Sequence, residues 1–160
     1  MQPISLNPTD TIAAVATAVA PGQGGIAVIR LSGPDAEAIG RAVVVCPGRQ
    51  DWNSHRLLYG HVLDAGRSRR LDEVLLLLMR GPRSFTGEDV VEIHCHGGVI
   101  AVQQVLERVL AQPGVRRALP GEFSQRAVLN GRRDLTQAEA ISELVAARSR
   151  RAADLAMAGL

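Results

Sequence analysis

The amino-acid sequence predicts an α+β fold, in which a mixed β-sheet is followed by helices. Strand-like and helix-like segments alternate along the chain, and no internal repeat is present. With 160 residues, of which 46% are hydrophobic, the chain can bury one core of ordinary size. We therefore predict an α+β domain over about residues 1–130, followed at 131–160 by the start of a helical domain that continues in a longer protein.

The first predicted elements are two strands joined by a glycine-rich turn. The strands are expected at residues 11–19 and 25–33, and the Pro-Gly-Gln-Gly-Gly stretch at 21–25 suits a hairpin between them. A helix follows at about 34–43, because proline is favoured in the first turn of a helix. Residues 46–55 are then predicted to form a loop.

Three further strands are predicted in the middle of the chain. They cover residues 55–64, 71–80 and 88–96. An arginine-rich turn at 65–70 separates the first two.

A longer helix is expected after the third of these strands, opened by Gly97 and Gly98 and ended by Pro113 and Gly114. Its apolar residues recur at intervals of three and four, which places them on one buried face. These residues are Val99, Val102, Val105, Leu106, Val109 and Leu110.

The last part of the chain is predicted to be mainly helical. A short segment at 115–119 precedes a compact helix at 120–129. A second helix begins with a capping box at 136–139, Thr-Gln-Ala-Glu, and reaches Leu160 without a convincing stop signal. Its expected apolar stripe consists of Ile141, Leu144, Val145, Ala152 and Leu155.

Composition argues against several classes of protein. The two cysteines, Cys46 and Cys95, are too few for a disulfide framework, and the N-terminus has no basic segment ahead of an apolar one. The longest unbroken apolar run, residues 74–79, is far shorter than the roughly 20 residues that a membrane span needs. We therefore expect a cytoplasmic protein with no membrane partner.

Arginine supplies all eighteen basic residues, and lysine is absent. A phosphate-binding loop of the form G-x-x-x-x-G-K-[ST] therefore cannot occur, which excludes nucleotide hydrolysis by that route. The formal net charge of +2 is compatible with RNA or an anionic ligand but does not require either. We assign no catalytic residue.

The predicted strand at 88–96 carries an unusual cluster of polar side chains. Alternation places Val91, Ile93 and Cys95 on one face and Glu92, His94 and His96 on the other. The second set is compatible with a solvated polar face, with a three-ligand metal site, or with the wall of a binding pocket. A thiol nucleophile at Cys95 is disfavoured, because that side chain shares the core face.

Several blocks of the sequence resemble the N-terminal part of the tRNA-modifying GTPases of the MnmE (TrmE) family. The blocks run in family order and extend to the C-terminus of the chain. They are DTIAAVAT at 10–17, GQGGIAVIRLSGPDA at 22–36, GPRSFTGEDVVEIHCHGG at 81–98 and PGEFSQRAVLNGRRDLTQAEAI at 120–141. The resemblance implies a tetrahydrofolate-binding and dimerisation domain at 1–130, followed at 131–160 by the first segment of a helical domain.

The resemblance also implies three folate-binding residues, Arg30, Glu92 and Arg132. A carboxylate can accept the paired N–H donors of a pterin, and arginines can pair with the carboxylates of the folate tail. The sequence departs from the family at Arg132, where lysine is common, and at Val99, where proline usually follows HGG. The resemblance further implies that His94, His96, Gly97 and Gly98 shape the pocket at the strand-to-helix turn.

The function implied is that of a folate-binding module in a homodimeric enzyme that modifies the wobble uridine of tRNA with a flavin-dependent partner. The ligand expected is a tetrahydrofolate derivative in the 5-formyl or methylene form. GTP, Mg²⁺ and K⁺ are cofactors of the intact family protein, and their sites are expected outside this chain, which alone should not be catalytic.

Two other functions stay open. A free-standing folate-dependent one-carbon transferase would need a general acid or base, which the sequence does not identify. A metal-dependent hydrolase would use Glu92, His94 and His96 as ligands.

Overall fold

A computed structural model describes residues 9–160 and shows a seven-stranded mixed sheet with helices, which confirms the α+β class. The strands are β1 (Thr11–Val15), β2 (Ile26–Ser32), β3 (Val44–Val45), β4 (Arg56–Leu63), β5 (Arg70–Met79), β6 (Val90–His96) and β7 (Val115–Arg117). The helices are α1 (Ala36–Val43), α2 (Val99–Leu110), α3 (Glu122–Leu129), α4 (Leu135–Ala146) and α5 (Arg150–Ala158).

The strand order in the sheet is β3-β4-β5-β6-β2-β1-β7. Every neighbouring pair is antiparallel except β1 and β7, which run parallel. The expected hairpin of β1 and β2 is present, although β1 ends at Val15 and does not continue to residue 19. Placing β6 beside β2 brings Arg30 next to the polar strand that the sequence singled out.

The hydrophobic core lies between one face of the sheet and helices α1 and α2. Val91, Ile93 and Cys95 of β6 are buried in it, as strand alternation predicts. In α2 the buried residues are Val102, Val105, Leu106 and Val109. Val99, the first residue of α2, is 37% exposed and does not belong to the buried face that the sequence predicted.

The opposite face of the sheet, here called the outer sheet face, has large apolar side chains in contact with solvent. They come from β2, β4 and β5, on either side of β6. The exposed fractions are 69% for Ile26, 59% for Leu57, 40% for Tyr59 and 42% for Leu75. The outer sheet face is therefore more apolar than a solvated sheet face needs to be.

The segment at 115–119 forms a strand, which the sequence did not predict. Its first three residues are β7, which pairs with β1 in the register Thr11 to Val115. A strand of three residues is too short to show a periodic pattern, and its pairing depends on the free edge of β1. α3 follows and lies across the end of the sheet where β2 stops and β6 begins, in contact through Arg126 with Glu88 and Asp10.

The C-terminal region differs from the single helix predicted from residue 136. The chain forms two helices, because Ala147 adopts an extended conformation and Ser149 caps α5 through the backbone N–H of Ala152. The capping box of α4 is also displaced from the predicted one. Asp134 accepts from the Gln137 backbone, and the Gln137 side chain accepts from the Asp134 backbone.

The break between α4 and α5 also changes the predicted apolar stripe. Val145 is 83% exposed and Leu155 is 68% exposed, whereas Ala140 and Ala156 are buried. No helix within residues 9–160 is both long and apolar enough to traverse a membrane.

Candidate ligand-binding site

The centre of the site is an ion pair between two adjacent strands. Arg30 on β2 and Glu92 on β6 are register partners, so their side chains leave the same face of the sheet. Arg30 Nη2 lies 2.8 Å and Nε 2.9 Å from Glu92 Oε2. Both side chains are largely buried but reachable, with 27% of Arg30 and 13% of Glu92 exposed. The sequence could identify both residues but not the bond between them.

Glu92 also contacts a histidine on its own strand. His94 Nε2 lies 3.1 Å from Glu92 Oε1, so each carboxylate oxygen has one donor group from the protein. A carboxylate offers about four lone-pair sites. Two Arg30 nitrogens lie at Oε2 and one His94 nitrogen lies at Oε1, so at least one site stays available for a ligand. The arrangement fixes the orientation of Glu92 without saturating it.

Two phenylalanines flank the guanidinium of Arg30. Its central carbon lies 5.6 Å from the centroid of the Phe85 ring and 5.7 Å from that of Phe123. Both distances are within the range of a cation–π interaction. The chain contains only two phenylalanines, and both lie beside this one arginine.

Arg30 and the two phenylalanines line a cleft of about 520 Å³, here called the Arg30 cleft. Its walls are mostly apolar, and Arg30 provides the charged group. The lining includes Val15, Arg30, Phe85, Leu119, Phe123 and Ile141. A cleft of this size with apolar walls and a few polar groups suits a small organic ligand.

A buried polar network fixes the loop that carries Phe85. Ser32 Oγ lies 2.7 Å from Thr86 Oγ1 and donates to Glu88 Oε2 at 2.6 Å. Glu88 in turn pairs with Arg126 of α3 at 3.1 Å, and the Arg126 side chain is only 3% exposed. Because every one of these groups has a partner, the loop is held at both ends and Phe85 is presented to the cleft.

Arg132, the third predicted folate-binding residue, contacts the same loop. Its Nε donates to the carbonyl of Ser84 at 3.1 Å, and the side chain is otherwise exposed. Its neighbour Arg133 is half-buried, and the Arg133 guanidinium lies 5.6 Å from the Phe85 ring. Phe85 therefore stands between the arginine of β2 and the arginines that follow α3.

His94 and His96 line a second cleft, of about 420 Å³, on the outer sheet face. The ring of His96 is held by Asp72, with Nδ1 2.6 Å from Oδ1, and this hydrogen bond raises the pKa of His96. The second cleft also contains Tyr59 and Leu75. The predicted pocket-shaping histidines thus lie beside the Arg30 cleft, and only His94 is linked to Glu92.

The glycine pair at the end of β6 serves the packing of the backbone. A Cβ on Gly97 would lie 2.6 Å from the carbonyl carbon of Gly24, which is too close for any side chain. A Cβ on Gly98 would meet nothing nearer than Ala101, at 4.0 Å. The close approach that Gly97 permits is therefore to the turn before β2, and Gly98 is the N-cap of α2.

The donors proposed for a metal site do not converge. Glu92 engages Arg30 and His94, whereas His96 turns to Asp72. In the described part of the chain, no cluster of three or more His, Cys, Asp or Glu side chains could hold a metal ion. Burial raises the pKa of the Cys95 thiol to about 11, so this group is a poor nucleophile at neutral pH.

Three residues of the site were missed by sequence reasoning. Phe85, Phe123 and Arg133 belong to no spacing motif and come together only in the folded chain. The scarcity of phenylalanine was the one signal available, because a residue type used twice and both times within a family-like block suggests a specific role.

Comparison with known proteins agrees with the resemblance noted in the sequence. Residues 11–132 match the family described as GTP-binding protein TrmE N-terminus. Three similar relatives, from Synechococcus sp. (strain CC9605), Parasynechococcus marenigrum (strain WH8102) and Prochlorococcus marinus (strain MIT 9303), are all named tRNA modification GTPase MnmE.

The relatives are close in sequence but much longer than this chain. Identity is 86% over 95% of the chain for the first, 84% over 97% for the second and 81% over 94% for the third. These alignments cover 34%, 34% and 32% of the relatives' own lengths, so the chain spans about a third of them. The fold, the matched region and these identities show that the chain belongs to the TrmE N-terminus family of GTP-binding proteins.

Proposed function

We propose that this chain is the tetrahydrofolate-binding module of a GTPase that modifies C5 of the wobble uridine in tRNA. The observation that carries the proposal is the Arg30–Glu92 ion pair beside a cleft walled by both phenylalanines of the chain. A carboxylate, an arginine and aromatic walls are the groups that a folate requires, since folate combines a flat polar head, an aromatic ring and an anionic tail.

Glu92 would bind the pterin head. The amino-pyrimidinone edge of a pterin presents adjacent N–H donors, and a carboxylate accepts two such donors side by side. Arg30 and His94 hold the Glu92 carboxylate from the protein side. This orientation reduces the entropy that Glu92 would lose on binding.

The remaining parts of the ligand would follow the apolar walls and the basic residues after α3. Phe85 and Phe123 would enclose the aminobenzoyl ring, and Arg132 would pair with a carboxylate of the tail. An arginine at position 132 presents a planar fork to a carboxylate, whereas the lysine common in the family presents a single charge.

The contribution of this chain is to bind and orient the one-carbon donor. When bound, the methylene form supplies a one-carbon unit to uridine C5. The redox steps would belong to a flavin-dependent partner, and GTP, Mg²⁺ and K⁺ would act in regions that correspond to the part of the relatives outside the alignment.

Calorimetry with 5-formyltetrahydrofolate, a stable analogue of the reactive donor, tests the proposal. We expect saturable binding with one site per chain, and no binding of GTP. A chain that fails to bind the folate would overturn the proposal.

Two alternative functions would give different results. A free-standing transferase would release a one-carbon product without GTP or a flavoprotein. A metal-dependent hydrolase would contain stoichiometric zinc by elemental analysis.

We also propose that the chain forms a homodimer through the outer sheet face. Family resemblance implies dimerisation, and Ile26, Leu57, Tyr59 and Leu75 form an exposed apolar surface that a second copy can cover with twofold symmetry. Sedimentation equilibrium should show twice the chain mass of 17.0 kDa. Leu75→Glu should give a monomer, whereas Leu155→Glu on α5 serves as the matched control and should leave the dimer intact.

A further inference from the structure

Arg133 is a half-buried cation whose side chain has no polar partner within residues 9–160. It makes no ion pair with an acidic residue there, and its Nε is enclosed without a hydrogen bond. Its guanidinium lies over the ring of Phe85, with the guanidinium carbon 5.6 Å from the ring centroid. Enclosing a donor without an acceptor is costly, so an unfilled donor at this position needs an explanation.

The other buried or half-buried arginines of the same region are neutralised by acidic residues. Arg30 is paired with Glu92, and Arg126 is paired with Asp10 and Glu88. Arg116 contacts Asp10 and Glu122. Arg133 differs from them because its positive charge is not balanced by any carboxylate in the described part of the chain.

Arg133 and Arg132 together flank the loop that carries Phe85. Arg132 donates its Nε–H to the carbonyl of Ser84, whereas the guanidinium of Arg133 lies over the ring of the next residue, Phe85. Two adjacent guanidinium groups without acidic partners are therefore held beside one wall of the Arg30 cleft. The Arg133 guanidinium lies within cation–π range of the Phe85 ring, and its planar fork suits a carboxylate acceptor.

We propose that Arg133 is a further ligand-binding residue, which takes one of the two carboxylates of the ligand's glutamate while Arg132 takes the other. The inference rests on the proposed folate function and adds a residue to that site. A glutamate tail carries two carboxylates, and the chain presents two arginines without acidic partners beside Phe85, which forms one wall of the Arg30 cleft. Glutamate recognition would thus be separate from pterin recognition at Glu92.

The test compares two ligands that differ only in the tail. Calorimetry would use 5-formyltetrahydrofolate and the primary amide of 5-formyltetrahydropteroate, which lacks the glutamate and carries no carboxylate. Arg133→Gln should weaken binding of the folate by about tenfold, the effect of losing one charged hydrogen bond, and change binding of the pteroate amide by less than about twofold. Arg133→Lys should retain part of the affinity because it keeps the charge.

Arg49→Gln, in an exposed loop near the opposite edge of the sheet, is the matched control for charge and should bind both ligands like the wild type. A wild-type chain that binds neither ligand would overturn the folate function itself. If the wild type binds the folate and Arg133→Gln binds it equally well, only the role of Arg133 would be overturned. An equal loss for both ligands would also overturn it, because such a loss would come from the head or the fold.

Discussion

Arg30 and Glu92 meet across two strands that lie next to each other only because β6 pairs with β2, and Arg30 Nη2 is 2.8 Å from Glu92 Oε2. In the proposed complex, two groups this close would lie at the same end of the ligand. In the proposed complex Arg30 therefore orients Glu92 at the pterin head, and recognition of the tail falls to the arginines after α3.

Glu92→Gln should weaken folate binding without unfolding the chain. The substitution keeps the shape but replaces one acceptor oxygen by an NH₂ group, which faces a donor of the ligand. Loss of one charged hydrogen bond, about 1.5 to 3 kcal/mol, corresponds to about ten- to a hundredfold weaker binding by calorimetry. Equal affinity of the folded variant and the wild type would contradict the assignment of Glu92.

The glycine pair after β6 offers a matched test of backbone packing. Gly97→Ala should destabilise the chain by more than about 1 kcal/mol, because the new Cβ would lie 2.6 Å from the Gly24 carbonyl carbon and force the backbone apart. Gly98→Ala should change stability by less than about 1 kcal/mol, since its Cβ has space. Urea denaturation measures both, and similar losses in the two variants would refute the difference.

The start of α4 provides a second matched pair. Asp134→Ala should cost about 1 kcal/mol, because the Asp134 side chain accepts from the Gln137 backbone N–H and satisfies a free donor of the first turn. Thr136→Ala, at the position that the sequence suggested as the cap, should cost clearly less. Thermal unfolding of the two variants decides between the two caps, and a larger effect at Thr136 would favour the sequence-based one.

Acid should destabilise the chain partly through Glu122. A hydrogen bond from Arg116, supported by the charge of Arg126, keeps the pKa of Glu122 below its ordinary value of 4.5. A lowered folded-state pKa contributes stability above the unfolded-state value, and this contribution is lost as the pH falls through the folded-state pKa.

Thermal unfolding between about pH 7 and pH 3 measures this contribution. The difference in Tm between the wild type and Glu122→Gln should shrink as the pH falls below about 4.5, because the protonated wild type resembles the variant. Parallel curves over the whole range would show that Glu122 does not titrate as expected.

His96 should titrate above its ordinary pKa of 6.5, because Asp72 accepts a hydrogen bond from its ring and Glu73 adds negative charge nearby. A group whose pKa is raised by folding stabilises the folded chain at low pH. This stabilisation is lost as the pH rises through the folded-state pKa. The side chain is 67% exposed, so solvent screens the effect on stability, and NMR titration of the ring is the better measurement. Asp72→Asn should return the midpoint toward 6.5; an unchanged midpoint would exclude Asp72 as the cause.

Much of the fold could be predicted from the sequence, because the signals are local. Alternation in β6 correctly separates buried Val91 from Glu92, and the apolar spacing of α2 identifies Val102 and Val105 as core residues. β7 could not be predicted, since three residues carry no period and the pairing partner lies about a hundred residues earlier. The break at Ala147 was missed because alanine favours continuation of a helix.

The candidate site was predictable only in part, for a related reason. The family-like blocks contain Arg30, Glu92 and Arg132, but no spacing indicates that Phe85 and Phe123 meet at Arg30. Such contacts depend on how α3 crosses the sheet, which is a property of tertiary packing. Arg133 was missed because its neighbour carried the family resemblance.

The pairing of β1 with β7 also constrains how the chain folds. Thr11 pairs with Val115, so this edge of the sheet forms only after a loop of about a hundred residues closes. Contacts of such long range slow the folding of a domain, and during synthesis β1 stays without its outer neighbour until residue 117 has left the ribosome. Its exposed edge is a surface where unfinished chains can associate, and a chaperone that covers it would serve the same purpose as β7.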